Sequence, residues 1–147
     1  MGAYYILLSV EVSPDVNEEF QKLKDHSLTF IICNLNKELK EIVVEKSGTE
    51  SDWDGFVAEL PETECRWAIY DFSFEEEGGG KRNKIVFISW TPDSAKIKQK
   101  MIFTSSKAVL RRGLVGIASE IQATERSEVS YQSVIEKVSK GRQAGSY

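Results

Sequence analysis

Apolar and polar positions along the chain switch between a helical and a strand period, and the switches lay out the fold. Ser13-Pro14-Asp15 opens the first helical segment, with a capping residue ahead of a proline whose missing N–H costs nothing at that position. Val16, Phe20 and Leu23 then recur at i, i+4 and i+7, predicting a helix over 14–24. Leu28 to Leu35 (LTFIICNL) is a nearly unbroken apolar run rich in β-formers, the pattern of a buried strand. Glu41 to Lys46 (EIVVEK) follows across Asn36-Lys37-Glu38 and is expected to pair with it as a hairpin. Thr49 to Asp52 offers caps for a second helix, in which Trp53, Phe56, Val57 and Leu60 share a stripe that Pro61 stops. Cys65 to Phe74 (CRWAIYDFSF) and Lys84 to Trp90 (KIVFISW) are two further strands.

The next stretch, Trp90 to Leu114, reads as a long helix. Asp93 or Ser94 is the expected cap, no proline interrupts the pattern, and Gly113 or Gly116 ends it. Ile117 to Ala123 is a short strand. Ser127 or Ser130 then caps a last helix in which Tyr131, Val134, Ile135 and Val138 are expected to bury, leaving Glu136, Lys137 and Lys140 in solvent. The closing residues are expected to fray. The order α, ββ, α, ββ, α, β, α predicts one α+β domain: a central mixed sheet flanked by helices on both faces.

Placed at about 100° per residue, the long helix sorts into unusual faces. Ile102, Phe103, Val109 and Leu110 fall in one arc suited to a core. Lys96, Lys100, Lys107 and Arg111 cluster on an adjoining arc. Beyond them lie Ile97, Met101, Thr104 and Ala108, and then Lys98 and Arg112 on the far side. A second apolar strip centred on Met101 is therefore bracketed by cations. One reading is a solvated basic edge beside a broad core stripe. The other is a docking ridge, apolar along its crest and cationic on both flanks, for an acidic surface with a hydrophobic slot.

Composition narrows the partner. The 147 residues suit a single domain, and the formal net charge is −4, although no acid lies between Asp93 and Glu120. A sequence pI near 5.2 argues against a dedicated nucleic-acid binder, since counterion release favours a basic surface. Cys33 and Cys65 sit in apolar strands and read as free buried thiols. With His26 the single histidine and no CxxC pattern, neither a zinc site nor any other cofactor site is expected. The first residues, MGAYYILLSVEV, are apolar but too short to span a bilayer and lack a signal-peptide pattern, and Ile6 stands where a myristoylation motif needs Ser or Thr. A cytoplasmic protein is expected.

Catalytic candidates are thin. Asp71 beside Tyr70, and Asp52 with Asp54, have no His or Cys in a recognisable arrangement. Ser105-Ser106 lie in the long helix, where hydroxyls bond back to i−4 carbonyls and bend it. The triglycine in EEEGGGKR joins two strands with no helix N-terminus after it, so it is not a phosphate loop. No enzyme is proposed.

Three blocks carry a family likeness: CRWAIYDFSF, then KRNKIVFISWTPDSAKIKQKMIFTSSKAVLRRGL, then EIQATERSEVSYQSVIEKV. Together with VSPDVNEEFQKLK and EIVVEK they resemble the actin-depolymerising factor/cofilin family, its fungal members above all. The resemblance implies an ADF-homology domain over 10–141, an atypical arm over 1–9 and a flexible tail over 142–147. It implies a monomer that binds actin monomers and filaments, prefers the ADP form, and severs and depolymerises filaments. It also implies overlapping contacts to phosphoinositides, work beside other actin-turnover factors, and a place in the cytoplasm and cortical actin cytoskeleton, with the nucleus as a further location. The alternatives on the same fold are a non-severing regulator of monomers or of a branching complex, and a phosphoinositide-binding module.

Matched residue by residue, the shared monomer and filament surface would comprise Ser9, Val10, Lys98, Lys100, Met101, Lys107, Arg111 and Arg112. Phosphoinositides would use Lys98, Lys100, Lys107, Arg111 and Arg112. Arg82, Lys84, Glu136, Lys137 and Lys140 would form a second surface used only on filaments. The chain departs from the family in three places. Leu8 stands at the regulatory serine position, with Ser9 adjacent. Ala108 replaces the usual acid after the helix lysine, and Ser119 stands where animal relatives carry a histidine that senses pH.

Overall fold

The computed structural model describes residues 10–76 and 78–144, the last five by backbone alone. The chain runs β1 (Glu11–Val12), α1 (Pro14–Lys24), β2 (Phe30–Leu35), β3 (Glu41–Gly48), α2 (Trp53–Ala58), β4 (Arg66–Glu75) and β5 (Lys81–Trp90). It continues with α3 (Ile97–Arg112), β6 (Ser119–Ala123), a 3-10 turn at Arg126–Val129, and α4 (Tyr131–Ala144). The six strands make one mixed sheet in the order β1-β3-β2-β4-β5-β6. Its inner pairs are antiparallel, while β1 on β3 and β6 on β5 are parallel.

Helices cover both faces, as the element order predicts, and the strands divide the core by their period of two. Trp67 and Ile69 of β4 and Phe87 of β5 point to the face where α1 and α3 pack through Val16, Phe20, Leu23, Phe103 and Leu110. Ala68, Tyr70, Phe72, Val86, Ile88 and Trp90 point to the other face, against Trp53 and Phe56 of α2 and Val134 and Val138 of α4. Two of the three buried indoles find acceptors: the Trp53 N–H donates to Val129 O at 2.8 Å and that of Trp90 to Pro61 O at 2.7 Å, whereas the Trp67 N–H has no partner among the described residues. Cys33 and Cys65 are free and buried, as expected; burial pushes the Cys33 thiol up to about 12 and that of Cys65 to about 11.

Several boundaries differ from expectation for identifiable reasons. Two residues of β1 escape any periodicity test, yet Glu11 N donates to Lys40 O at 2.9 Å and starts a parallel pair. Helix α3 begins at Ile97, later than the Asp93 or Ser94 cap implied. Those residues are engaged elsewhere: Ser94 Oγ donates to Glu62 O at 2.7 Å, and Ala95 N to Pro92 O at 2.9 Å closes a turn. Lys96 takes the N-cap position without a side-chain bond, and Gly113 is the C-cap. Strand β5 starts at Lys81, so Arg82 lies within the ladder opposite Phe74. Tyr131 remains 45% exposed instead of burying, stacked on Phe72 with ring centroids 5.3 Å apart. Of the tail expected at 142–147, residues 142–144 continue α4 and 145–147 lie outside the described residues.

Candidate protein-docking site

Helix α3 docks through Phe103, Ser106 and Leu110, with Phe103 against the Trp67 ring at 4.2 Å between centroids. Ile102 and Val109, expected in the core arc, are only half-buried and form its shoulders. The opposite side of the helix is open. Ile97 is 75% exposed and Met101 66%, and with Lys100, Thr104 and Ser105 they line a shallow apolar hollow. Ser105 Oγ donates back to Ile102 O at 3.1 Å, three residues back where four were expected, whereas Ser106 is buried. An unpaired thioether on a helix crest costs exposure in the isolated chain and is the kind of adaptable contact a partner covers.

The cations flank this crest on both sides but are not equivalent. Lys98 and Arg112 are exposed and have no ion-pair partner among the described residues. Lys98 and Lys96 line a groove of about 360 Å³ with Leu35, Leu39 and Ile102. Lys100 is half-buried and donates to Asp93 O at 3.1 Å, tying the first turn of α3 to the loop before it. Lys107 and Arg111 are engaged by Glu120 of β6, at 2.7 and 2.9 Å. Burial alone would raise the Glu120 carboxyl, but hydrogen bonds from Lys107 and Arg111 outweigh it and hold the group below its ordinary value. Sequence reading missed Glu120 because the contact, although only 13 and 9 positions away along the chain, exists only once β6 has paired with β5 under α3. Val10, grouped with the docking residues, is buried against the α1 face, so its side chain belongs to the core. Ser9 lies outside the described residues.

A second polar area gathers where β5 begins. Lys84 Nζ donates to Val138 O at 3.3 Å, which brings the start of β5 against α4 and its exposed Glu136 and Lys137. Burial, and then the neighbouring Arg82, lower the Lys84 ammonium from its ordinary value. Arg82 is itself about half exposed and pairs with Glu76 at 3.6 Å. The side chain of Lys140 lies outside the described residues.

Among the described residues no three His, Cys, Asp or Glu side chains gather to hold a metal ion, and no helix is long and apolar enough to cross a membrane. What the surface does offer is an open helix face with an apolar crest and charged flanks, which defines a protein-binding module. Residues 9–139 match the family model described as cofilin/tropomyosin-type actin-binding protein. The chain is 54% identical to the cofilin of Mycosarcoma maydis over 132 residues, 89% of this chain and 95% of that one. It is 53% identical to the cofilin of Schizosaccharomyces pombe, across 89% of this chain and 96% of that one. A solved cofilin structure from Streptomyces griseoflavus superposes with a TM-score of 0.86 at 53% identity, covering 90% of this chain and 98% of the other. The chain belongs to the ADF/cofilin family, whose members are non-enzymatic actin-binding, actin-depolymerising proteins.

Proposed function

We propose that α3 is the face this chain presents to actin, with Met101 entering an apolar slot and Lys98, Lys100, Lys107, Arg111 and Arg112 meeting acidic groups around it. The observation that carries this is the 66% exposure of Met101 on the side of α3 opposite Phe103 and Leu110. Arg82, Lys84, Glu136, Lys137 and Lys140 form a second surface, engaged only on filaments. A protein touching two subunits at once favours whichever filament twist fits both surfaces, and differential affinity shifts the polymer toward that twist. Severing then occurs where altered and unaltered stretches meet. The chain works as a monomer in the cytoplasmic actin cytoskeleton, at cortical structures and in the nucleus, with the ADP form of actin preferred. The ADF-homology domain spans 10–141 after the arm 1–9, and α4 runs on to Ala144 within the tail 142–147.

The test is a pyrene-actin disassembly assay combined with filament imaging. Faster disassembly and visible breaks at micromolar protein are expected; their absence would leave the non-severing regulator as the better reading. Phosphoinositide binding is supported as an overlapping activity by the unpaired Lys98 and Arg112. Liposomes carrying phosphoinositides should compete with actin for the protein.

A further inference from the structure

Two of the cations on α3 are held from within the molecule by a residue of another element. Glu120 sits on β6 beside Phe87, its register partner on β5, on the face of the sheet that α3 covers. Its carboxylate divides its oxygens: Oε2 accepts from Lys107 Nζ at 2.7 Å and Oε1 from Arg111 Nε at 2.9 Å. Lys107 and Arg111 are one helical turn apart, so a single carboxylate braces an i, i+4 pair from outside the helix. Arg111 is fixed in two further ways. Its guanidinium lies over the Phe87 ring, 5.5 Å from the centroid, and Nη1 donates to Leu114 O at 3.4 Å. The side chains of Lys107, Arg111 and Glu120 are 29%, 31% and 33% exposed, so the brace is partly desolvated and still reachable by a partner.

We infer that Glu120 is a positioning and specificity residue for the docking face. It orders Lys107 and Arg111 before the partner arrives and cancels one of their two charges. This rests on α3 being the actin-docking face. Pre-ordering removes an entropy loss that free lysine and arginine side chains suffer on binding. Cancelling one charge lowers attraction to any dense polyanion, which responds to charge count more than to shape. The two effects together favour a rigid acidic protein surface over a flexible polyanion.

The experiment compares Glu120→Asp, Glu120→Gln and Met101→Ala in the full chain. Its readouts are filament co-sedimentation, the salt concentration that elutes each variant from heparin, and thermal unfolding. Aspartate keeps the charge but is one methylene too short to brace both cations. It should weaken filament binding about 3- to 10-fold, the range expected when one or two long side chains must be ordered, and leave heparin elution unchanged. Glutamine should weaken filament binding similarly while moving heparin elution to higher salt. Filament binding equal to wild type in both variants, or tighter binding by Glu120→Gln, would overturn the inference, because the carboxylate would then only neutralise charge. A lowered unfolding midpoint with parallel losses on filaments and heparin would also overturn it, assigning Glu120 to the fold alone. If Met101→Ala weakens filament binding and the Glu120 variants do not, only the Glu120 inference fails. If Met101→Ala has no effect either, the docking face itself is wrongly placed.

Discussion

Replacing Met101 by alanine separates a docking role from a packing role with one substitution. Burying a whole methionine side chain is worth about 1.5–3 kcal/mol. Met101 is 66% exposed in the free chain, so about two-thirds of that, roughly 1–2 kcal/mol, remains to be gained when a partner covers it. Met101→Ala should therefore weaken actin binding roughly 5- to 30-fold, at about 1.4 kcal/mol per tenfold. Folding stability should move by no more than about 0.5 kcal/mol, as for other exposed positions. That corresponds to an unfolding midpoint shifted by no more than roughly 2 °C in a chain of this size. Filament co-sedimentation gives the affinity and a thermal melt gives the stability. Affinity within twofold of wild type, or a midpoint lowered by many degrees, would refute the placement of Met101 at an outward-facing contact.

Other variants and conditions probe the remaining surfaces. Arg82→Ala/Lys84→Ala should weaken filament binding while sparing monomer binding, measured by co-sedimentation and by monomer fluorescence titration; equal losses on both would remove the two-surface assignment. Glu128 accepts bonds from Thr124 N at 2.8 Å, Thr124 Oγ1 at 3.0 Å and Glu125 N at 3.2 Å. The backbone bond from Thr124 leads in holding its carboxyl below the ordinary glutamate value. A depressed folded-state value means stability present above the unfolded value and lost as pH falls through the folded one. Urea midpoints of wild type should thus exceed those of Glu128→Gln at neutral pH and converge with them in acid; a constant difference would refute this. Cys33 and Cys65 are buried with thiols raised far above neutrality, so a thiol reagent at pH 8 should modify neither in the native protein and both in urea. Rapid native labelling would contradict their placement.

What the sequence disclosed depended on how local the cause was. Helix α1 was legible to the residue because Ser13-Pro14 fixes its start and Val16, Phe20 and Leu23 its face. The outward crest of α3 was legible because helical geometry alone sets Met101 opposite Phe103 and Leu110. The start of α3 was not, because Ser94 is drawn to Glu62 O by a contact 32 positions away. Strand β1 was too short to show a period, and it exists only because β3 offers an edge. The two cationic flanks of α3 were legible too, but not that Glu120 binds two of the cations and leaves Lys98 and Arg112 free among the described residues. Local chemistry predicts where a charge points; only the assembled sheet decides what already holds it.

Strand β5 carries Arg82 and Lys84 near one end and leads from Trp90 toward α3 at the other. At about 3.3 Å per residue, its ten residues span roughly 30 Å, all of them paired with β4 and the half from Val86 to Trp90 paired with β6 as well. It is a built-in calliper, because the end with Arg82 and Lys84 cannot drift relative to the end at Trp90 without breaking ladder bonds to β4. On the proposed two-surface binding, a polymer gripped at both ends conforms to the gauge of the molecule gripping it.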